Sequence, residues 1–483
     1  MDNFPRLLHI SYEQRLSQQL FLDLQMDKIF SSSAIQVLCH PCAKQEILDR
    51  SELFQALEHP EALEKTNQCL TKLKNCLHLL SLLDMSQTEF ERYRLRISSA
   101  KAYISACEAL STLNIDTNIT KRLSAYFGKG FFRDRICQMA QDMEEAQALF
   151  DDFNRGSLSF SNKCWLTPDY ADCDVFDEIA KSARSLGLSV GGKKKCNVLV
   201  DESLSSSILQ LYHEHVSRLD AILDKYAMLD FLEPTRLIPE FAFYIELITL
   251  VNKAFDIGVP HCYPQISDKL EYCAKEVYDI TLLAKNVTDI VANDVNVSIA
   301  DPFFFLLGAN GGGKTTYLRA VGLNLILFMS GCPIFAKSAT IYPFELVVSH
   351  FSSDERFDGI GRLDEELLRI NELRQMTCSK TAFWLLNETF SGTDETKGAL
   401  LLQENARNIR DSGQFGLCVT HFHSVSNIGY PVLFAAVDAT NTNKRTYHIQ
   451  RSKGDANSYA VDILKKYRLD RESLEERRKA RGI

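Results

Sequence analysis

The run GANGGGKTT, Gly308 to Thr316, follows the apolar PFFFLL and precedes YLRAVGLNLILF. A greasy strand, a glycine turn and then a helix is the setting in which Gly-x-x-x-x-Gly-Lys-[Ser/Thr] cradles phosphates. Glycines let backbone N–H groups curl around an anion, and the N-terminus of the next helix adds partial positive charge. Lys314 is then placed to neutralise β and γ oxygens, and the Thr315 hydroxyl to ligate magnesium. Gly308, Ala309, Asn310, Gly311, Gly312, Gly313, Lys314, Thr315 and Thr316 therefore read as a nucleotide-binding turn, with ATP and Mg2+ as its cofactors.

Outward from that turn the texture is that of an α/β domain. The segments DIVANDVNVSI, PFFFLL, TIYPFELVVSHF, TAFWLL, FGLCVT and VLFAAV are strand candidates, and helices are expected over 314–329, 363–376 and 395–410. A second acidic group should leave the tip of another buried strand, and AFWLLNE supplies it at Asn387 and Glu388. Glu388 is suited to orient or deprotonate an attacking water, and Asn387, Glu388 and Thr315 make up the expected metal site. Asn387 stands where an aspartate is expected. CVTHFHS ends a further apolar strand on His421, a candidate sensor of the γ-phosphate; a satisfied core histidine is the plainer reading.

The N-terminal part is of different character. LFQALEHPEALEKTNQCLTKLKNCLHLLSLLDM and FERYRLRISSAKAYISACEALSTL carry apolar residues at helical spacing and predict a bundle. Gly191 and Gly192 mark a hairpin turn near 186–200, with Lys193, Lys194 and Lys195 at its tip. Helical segments return over 206–275, broken at Pro234 and Pro239.

Composition limits the possibilities. The 483 residues are 45% hydrophobic and 24% charged, which is globular, and the net charge of -9 argues against a surface coated for nucleic-acid or anionic-membrane binding. Any DNA contact is therefore expected to be local. MDNFPRLLHISYEQ lacks the basic start and apolar core of a signal peptide, and the apolar run from Val321 to Ala336 is interrupted by Asn324 and Ser330, so a cytoplasmic location without membrane contact is expected. Of the 14 cysteines only Cys39 and Cys42 form a Cys-x-x-Cys pair, too few ligands for structural zinc.

The C-terminal part resembles the MutS family of DNA mismatch-repair ATPases. GANGGGKTTYLRAVGLNLILFMSGCPIFAKSATI is similar to the family's G-P-N-x-x-G-K-S-T-Y-x-R segment with its succeeding helix and strand. IVANDV, NETFSGTD, VTHF and NSYAVDILKKYRL match its V-P-N-D, D-E-x-x-x-G-T, A-T-H-Y and S-Y-G elements in order, and QEILDRSELFQAL looks like the opening of its lever domain. The resemblance implies an α/β P-loop NTPase domain over 276–483, preceded by a mostly α-helical core domain over 1–205 and returning lever helices over 206–275. It also implies a homodimer through the ATPase domain, with DNA as partner. In it Asn310 and Lys314 touch the β and γ phosphates, Glu388 the water and His421 the γ-phosphate region, and the adenine lies between Ile290 and His448. Ile290 replaces an aromatic residue there, keeping apolar contact but losing ring stacking.

Departures from the pattern shape the expected activity. Asn387 removes a full negative charge beside the cation, which predicts slow hydrolysis. The family's trans-acting S-T-F-x-x-E segment aligns with GRLDEEL, so its serine falls on Gly361 while Glu366 keeps the acidic position. No mismatch-reading domain, long clamp or appended nuclease is recognised. A magnesium-dependent ATPase switch acting on branched or otherwise non-mismatch DNA is thus the leading expectation, and an ATP-binding scaffold that hardly hydrolyses is the alternative. Transporter-type ATPases share the glycine turn but carry an L-S-G-G-Q helix start, which this sequence lacks.

Overall fold

The computed structural model describes residues 4–8, 15–86, 88–155, 158–159, 164–166, 197–198, 213–308, 310–352, 362–427, 429–437 and 445–451. The chain divides into two compact units, Met1–Leu7 with Ala56–Ala242 and Leu8–Gln55 with Phe243–Ile483. In chain order the helices α1 (Gln18–Asp23), α2 (Ser32–Leu38) and most of α3 (Lys44–Leu57) fall in the second unit.

The first unit contains α4 (Pro60–Asp84), α5 (Glu89–Ser111), α6 (Asn118–Gly128), α7 (Gly130–Arg155) and α8 (His213–Asp224). Pro60 occupies the first helical position of α4, where a missing N–H costs nothing, so the helical stretch expected through this point is two helices. Thr88 and Thr117 cap α5 and α6 through their hydroxyls. On α7, Asp142 accepts the Tyr226 hydroxyl at 2.8 Å and Lys225 Nζ at 3.1 Å. Three short strands, β1 (Leu158–Ser159), β2 (Cys164–Leu166) and β3 (Asn197–Val198), pair antiparallel in that order. The expected hairpin near 186–200 is thereby described only at Asn197–Val198, which pairs with β2; Gly191, Gly192 and the three lysines lie outside the described residues.

Helix α9 (Ile238–Asp256) leads into the second unit, which holds two sheets. The smaller is built from β4 (Gln265–Ile266), β5 (Glu271–Val277), β6 (Asn293–Ser298) and β8 (Ser338–Ile341), in the order β4-β8-β5-β6. Short α10 (Thr281–Ala284) sits between β5 and β6 in the chain. The larger sheet contains β7 (Phe303–Leu307), β9 (Leu346–Phe351), β10 (Ala382–Asn387), β11 (Phe415–Val419), β12 (Val432–Val437) and β13 (Arg445–Arg451). Its order is β13-β12-β7-β11-β10-β9, parallel throughout except for antiparallel β13 at the edge. Strands β7, β10 and β11 are almost wholly buried, as the uninterrupted apolar runs of a covered parallel sheet require.

Helices α11 (Lys314–Met329), α12 (Arg362–Thr377) and α13 (Glu395–Asp411) are the crossovers between parallel strands. They match the expected helices to within a residue at either end. TIYPFELVVSHF, expected as one strand, is two strands in different sheets: Tyr342 N–H bonds Glu271 O, Pro343 has no N–H to give, and the chain turns there from β8 into β9.

Helix α11 is buried nearly all round, and two of its polar side chains make buried contacts. Asn324, wholly buried, donates to Tyr278 O at 3.0 Å and Ala320 O at 2.8 Å and accepts the Phe335 N–H at 2.6 Å. Arg319 pairs with the fully buried Asp279 carboxylate at 3.1 Å. The N-terminal segment is held to the same body: Arg50 donates to Ser330 O at 3.0 Å, and Ser349 donates to Asp23 at 2.6 Å. No described helix is long and apolar enough to cross a membrane. Replacing Asn324 by leucine strands the Phe335 N–H without an acceptor; a loss of about 2–4 kcal/mol is expected, read as a lower urea midpoint at unchanged m-value.

Candidate functional site

The register of the larger sheet determines where the site lies. Val419 of β11 pairs with Leu306 of β7 on one side and with Asn387 of β10 on the other. All three strands are parallel, so their carboxyl ends open on one edge of the sheet. The glycine turn, the Asn387-Glu388 pair and His421 leave that edge within two residues of this line. Carboxyl ends of parallel strands are where open α/β sheets bind their ligands.

Gly308, Gly311 and Gly313 of the turn all have positive φ, and two of them are also closely approached by neighbouring atoms. Gly308 has φ +129°, and a Cβ there would lie 2.9 Å from the Ala435 Cβ and 3.1 Å from the Ala435 nitrogen. Gly313, at φ +88°, is the N-cap of α11. Asn310 and Gly311 are exposed at the tip, Gly312 is buried, and Thr315 and Thr316 are half-buried; Ala309 lies outside the described residues. Lys314 opens α11 with its side chain buried, and its Nζ donates to Gly308 O at 2.7 Å. Burial pushes its pKa down, the nearby Glu388 carboxylate works against that shift, and Arg445 adds to it. The lysine thus spans the turn, with an acidic group and a second cation close by.

Two of the expected metal residues are brought together. Thr315 Oγ1 donates to Asn387 Oδ1 at 3.1 Å, joining the first turn of α11 to the end of β10. The pair has the geometry of a hydroxyl and a strand-end acceptor, with an amide oxygen in place of a carboxylate. Glu388, half-buried, comes next with φ +52°, and Phe390 has φ +63°. Glu388 N–H donates to Val419 O at 2.8 Å, continuing the sheet by one bond. His421 is exposed, and its ring lies 4.4 Å from that of Phe422. Phe422 is in turn packed where a Cβ on Gly398 of α13 would fall, 2.3 Å from its Cζ. His423, two residues beyond His421, is exposed at the start of a short 3-10 turn.

Ile290 is half-buried just before β6, and His448 is exposed on β13. The two segments are tied by one side chain: Asn293 Nδ2 donates to Tyr447 O at 3.0 Å and Asn293 Oδ1 accepts the Ile449 N–H at 2.7 Å, on either side of His448. That arrangement also brings in an unforeseen residue. Tyr447, at φ +58° and about half exposed, has its ring 3.2 Å from where a Cβ on Gly313 would be. Periodicity does not single out Tyr447, because the irregular pairing of β12 and β13 between Ala435 and Val437 is invisible in sequence. Arg445 is hidden for the same reason.

Glu366 aligns with a family segment that acts on another subunit. In the described chain it is buried and bonded to Phe390 N–H and Ser352 Oγ of its own chain. Gly361, its neighbour in that alignment, lies outside the described residues.

A two-sheet α/β unit with its polar residues gathered where parallel strands end is the architecture of an ATPase-type domain. Residues 304–480 match the family described as MutS domain V. The mitochondrial DNA mismatch repair protein MSH1 of Arabidopsis thaliana is 29% identical over 147 residues, 30% of this chain and 13% of that protein. Endonuclease MutS2 of Solidesulfovibrio magneticus is 27% identical over 192 residues, 38% of this chain and 24% of the relative. DNA mismatch repair protein MSH2 of Saccharomyces cerevisiae is 24% identical over 172 residues, 35% and 18% of the two chains. The matched region is thus at most about a quarter of each of these relatives.

The close approach at Gly308 carries a direct test. Gly308→Ala places a methyl against Ala435 at a backbone angle that L residues rarely adopt; thermal and urea unfolding are expected to report a loss of about 2–4 kcal/mol.

Proposed function

We propose that the chain binds and slowly hydrolyses ATP with magnesium, and that nucleotide occupancy switches a dimer that acts on DNA. The observation that supports the reading is the Thr315–Asn387 hydrogen bond, with Lys314 and Glu388 close by, at the sheet edge where the phosphate, metal and water roles are proposed. The residues fit a nucleotide: a glycine turn whose first position admits no side chain, a helix N-terminus, and an ammonium group held by a backbone carbonyl that a phosphate oxygen can replace.

Each group has a separable task. Backbone N–H groups of the turn from Gly308 through Gly313 hold the phosphate chain, and Lys314 exchanges its Gly308 partner for β and γ oxygens. Magnesium, when bound, supplies positive charge that offsets the negative charge of the phosphates and orients them. Thr315 offers its hydroxyl oxygen to the metal while still donating its proton to Asn387. Asn387 offers an amide oxygen, a dipole where a carboxylate would place a full charge, and this favours slow turnover. Glu388 receives the proton of the attacking water, and His421 closes the γ-phosphate side. Ile290, Tyr447 and His448 flank the base, Tyr447 contributing the ring that Ile290 lacks.

The dimer and the DNA rest on the match to MutS domain V and its relatives. Asn310, Gly311, His421 and His448 are exposed, which is compatible with cover by a second ATPase domain in a homodimer. A scaffold that binds ATP but hardly turns it over is the second reading, favoured by the neutral Asn387.

Two measurements decide between these readings. Asn387→Asp is expected to tighten magnesium dependence and raise steady-state ATP turnover by about tenfold to a hundredfold; equal turnover in both proteins contradicts the role given to Asn387. Turnover in neither, with ATP bound, supports the scaffold. For the partner, filter binding of duplex, mismatched and four-way-junction DNA is expected to show a junction preference that changes with a non-hydrolysable ATP analogue. Uniform, salt-sensitive background on all three removes DNA from the proposal.

A further inference from the structure

The loop after β10 is held in a conformation that its residues do not choose for themselves. Glu388 and Phe390 both have left-handed backbone angles, φ +52° and +63°, and neither is glycine. Such a conformation persists only where surrounding contacts over-determine it. Three contacts do so. Glu366, on the second turn of α12, accepts the Phe390 N–H at 2.5 Å through Oε2 and the Ser352 hydroxyl at 3.0 Å through Oε1. His350, at the end of β9, is 3.0 Å from Thr389 Oγ1 through Nδ1. Thr389 and the Phe390 ring are themselves buried, and Ser391 N–H closes the loop onto Glu388 O at 3.1 Å. The carboxylate of Glu366 is thus the charged acceptor at the far end of a turn whose near end carries Glu388, close enough to act on the Lys314 charge.

We propose that Glu366 is the positioning residue for Glu388: by binding Phe390 N–H it fixes the turn that presents the Glu388 carboxylate to the attacking water. This inference rests on the reading of Glu388 as the group that takes the water's proton. A misplaced base loses far more in rate than in ligand affinity, because the phosphates are held by the turn after β7 and not by this loop. Glutamine can keep both bonds, its carbonyl accepting from Phe390 and its NH2 donating to a Ser352 hydroxyl that reverses its role. Alanine keeps neither.

The test is single-turnover hydrolysis of radiolabelled ATP alongside titration with fluorescent ADP, on the full chain. Glu366→Ala is expected to slow hydrolysis by about a hundredfold with ADP affinity within about threefold. Glu366→Gln is expected to restore most of the rate. Thr389→Val, which removes the His350 contact at nearly constant volume, is expected to slow hydrolysis several-fold and serves should the alanine variant not fold. An alanine variant as fast as the parent overturns the inference alone, as do a glutamine variant as slow as alanine, equal losses of rate and affinity, or Thr389→Val at parental rate if alanine does not fold. A parent protein without hydrolysis, unchanged by Glu388→Gln, overturns the reading of Glu388 and this inference with it.

Discussion

Val419 is bonded into the sheet between Leu306 and Asn387, and this register sets the geometry of the site. Because the three strands are parallel, every chain leaving that line emerges on the same edge, so the glycine turn, Glu388 and His421 converge without any long-range coincidence. A one-residue slip of β10 against β11 would turn Asn387 away from Thr315. The slip is opposed by burial on both faces: Trp384, Leu385 and Leu386 on β10 and Leu417, Cys418 and Val419 on β11 are all essentially inaccessible to water.

The replacement of a carboxylate by Asn387 is a change of charge at nearly constant shape. The amide oxygen still accepts from Thr315, so the hydroxyl stays directed and the strand end stays closed on the helix. The field is lost. In a partly dehydrated site a full charge beside a divalent cation is worth much more than a dipole, and that difference acts on the metal and on the charge developing in the transition state. On the proposed function, binding geometry and hydrolytic rate are therefore separable, and a switch that dwells in its triphosphate state follows from the same residue.

The larger sheet and its glycine turn were legible in the sequence because parallel core strands write themselves as unbroken apolar runs, and because Gly308 and Lys314 sit at fixed offsets from one of them. Features that depend on pairing were not legible. Tyr447 reaches Gly313 only because β13 returns antiparallel beside β12 with an irregular step. The Pro343 bend separates two strands that read as one. The segment Leu8–Gln55 shares a compact unit with Phe243–Ile483, yet an amphipathic helix carries no mark of the partner its apolar face will cover. Asn324 and Ser330 read as interruptions in a greasy run, and the first is instead a fully satisfied junction between α11 and two flanking chains.

Glu366 shows the same limit from the functional side. An acidic residue near a helix start ordinarily reads as a solvated charge favoured by the helix dipole, and family resemblance gives this one an outward role. Its burial reverses that reading, since a carboxylate removed from water must find donors, and the ones it finds are Phe390 N–H and Ser352 Oγ. The cost of burying the charge is offset by holding a loop with two left-handed residues in one arrangement. The Glu366–Phe390 bond thus couples helix α12 to the loop that carries Glu388.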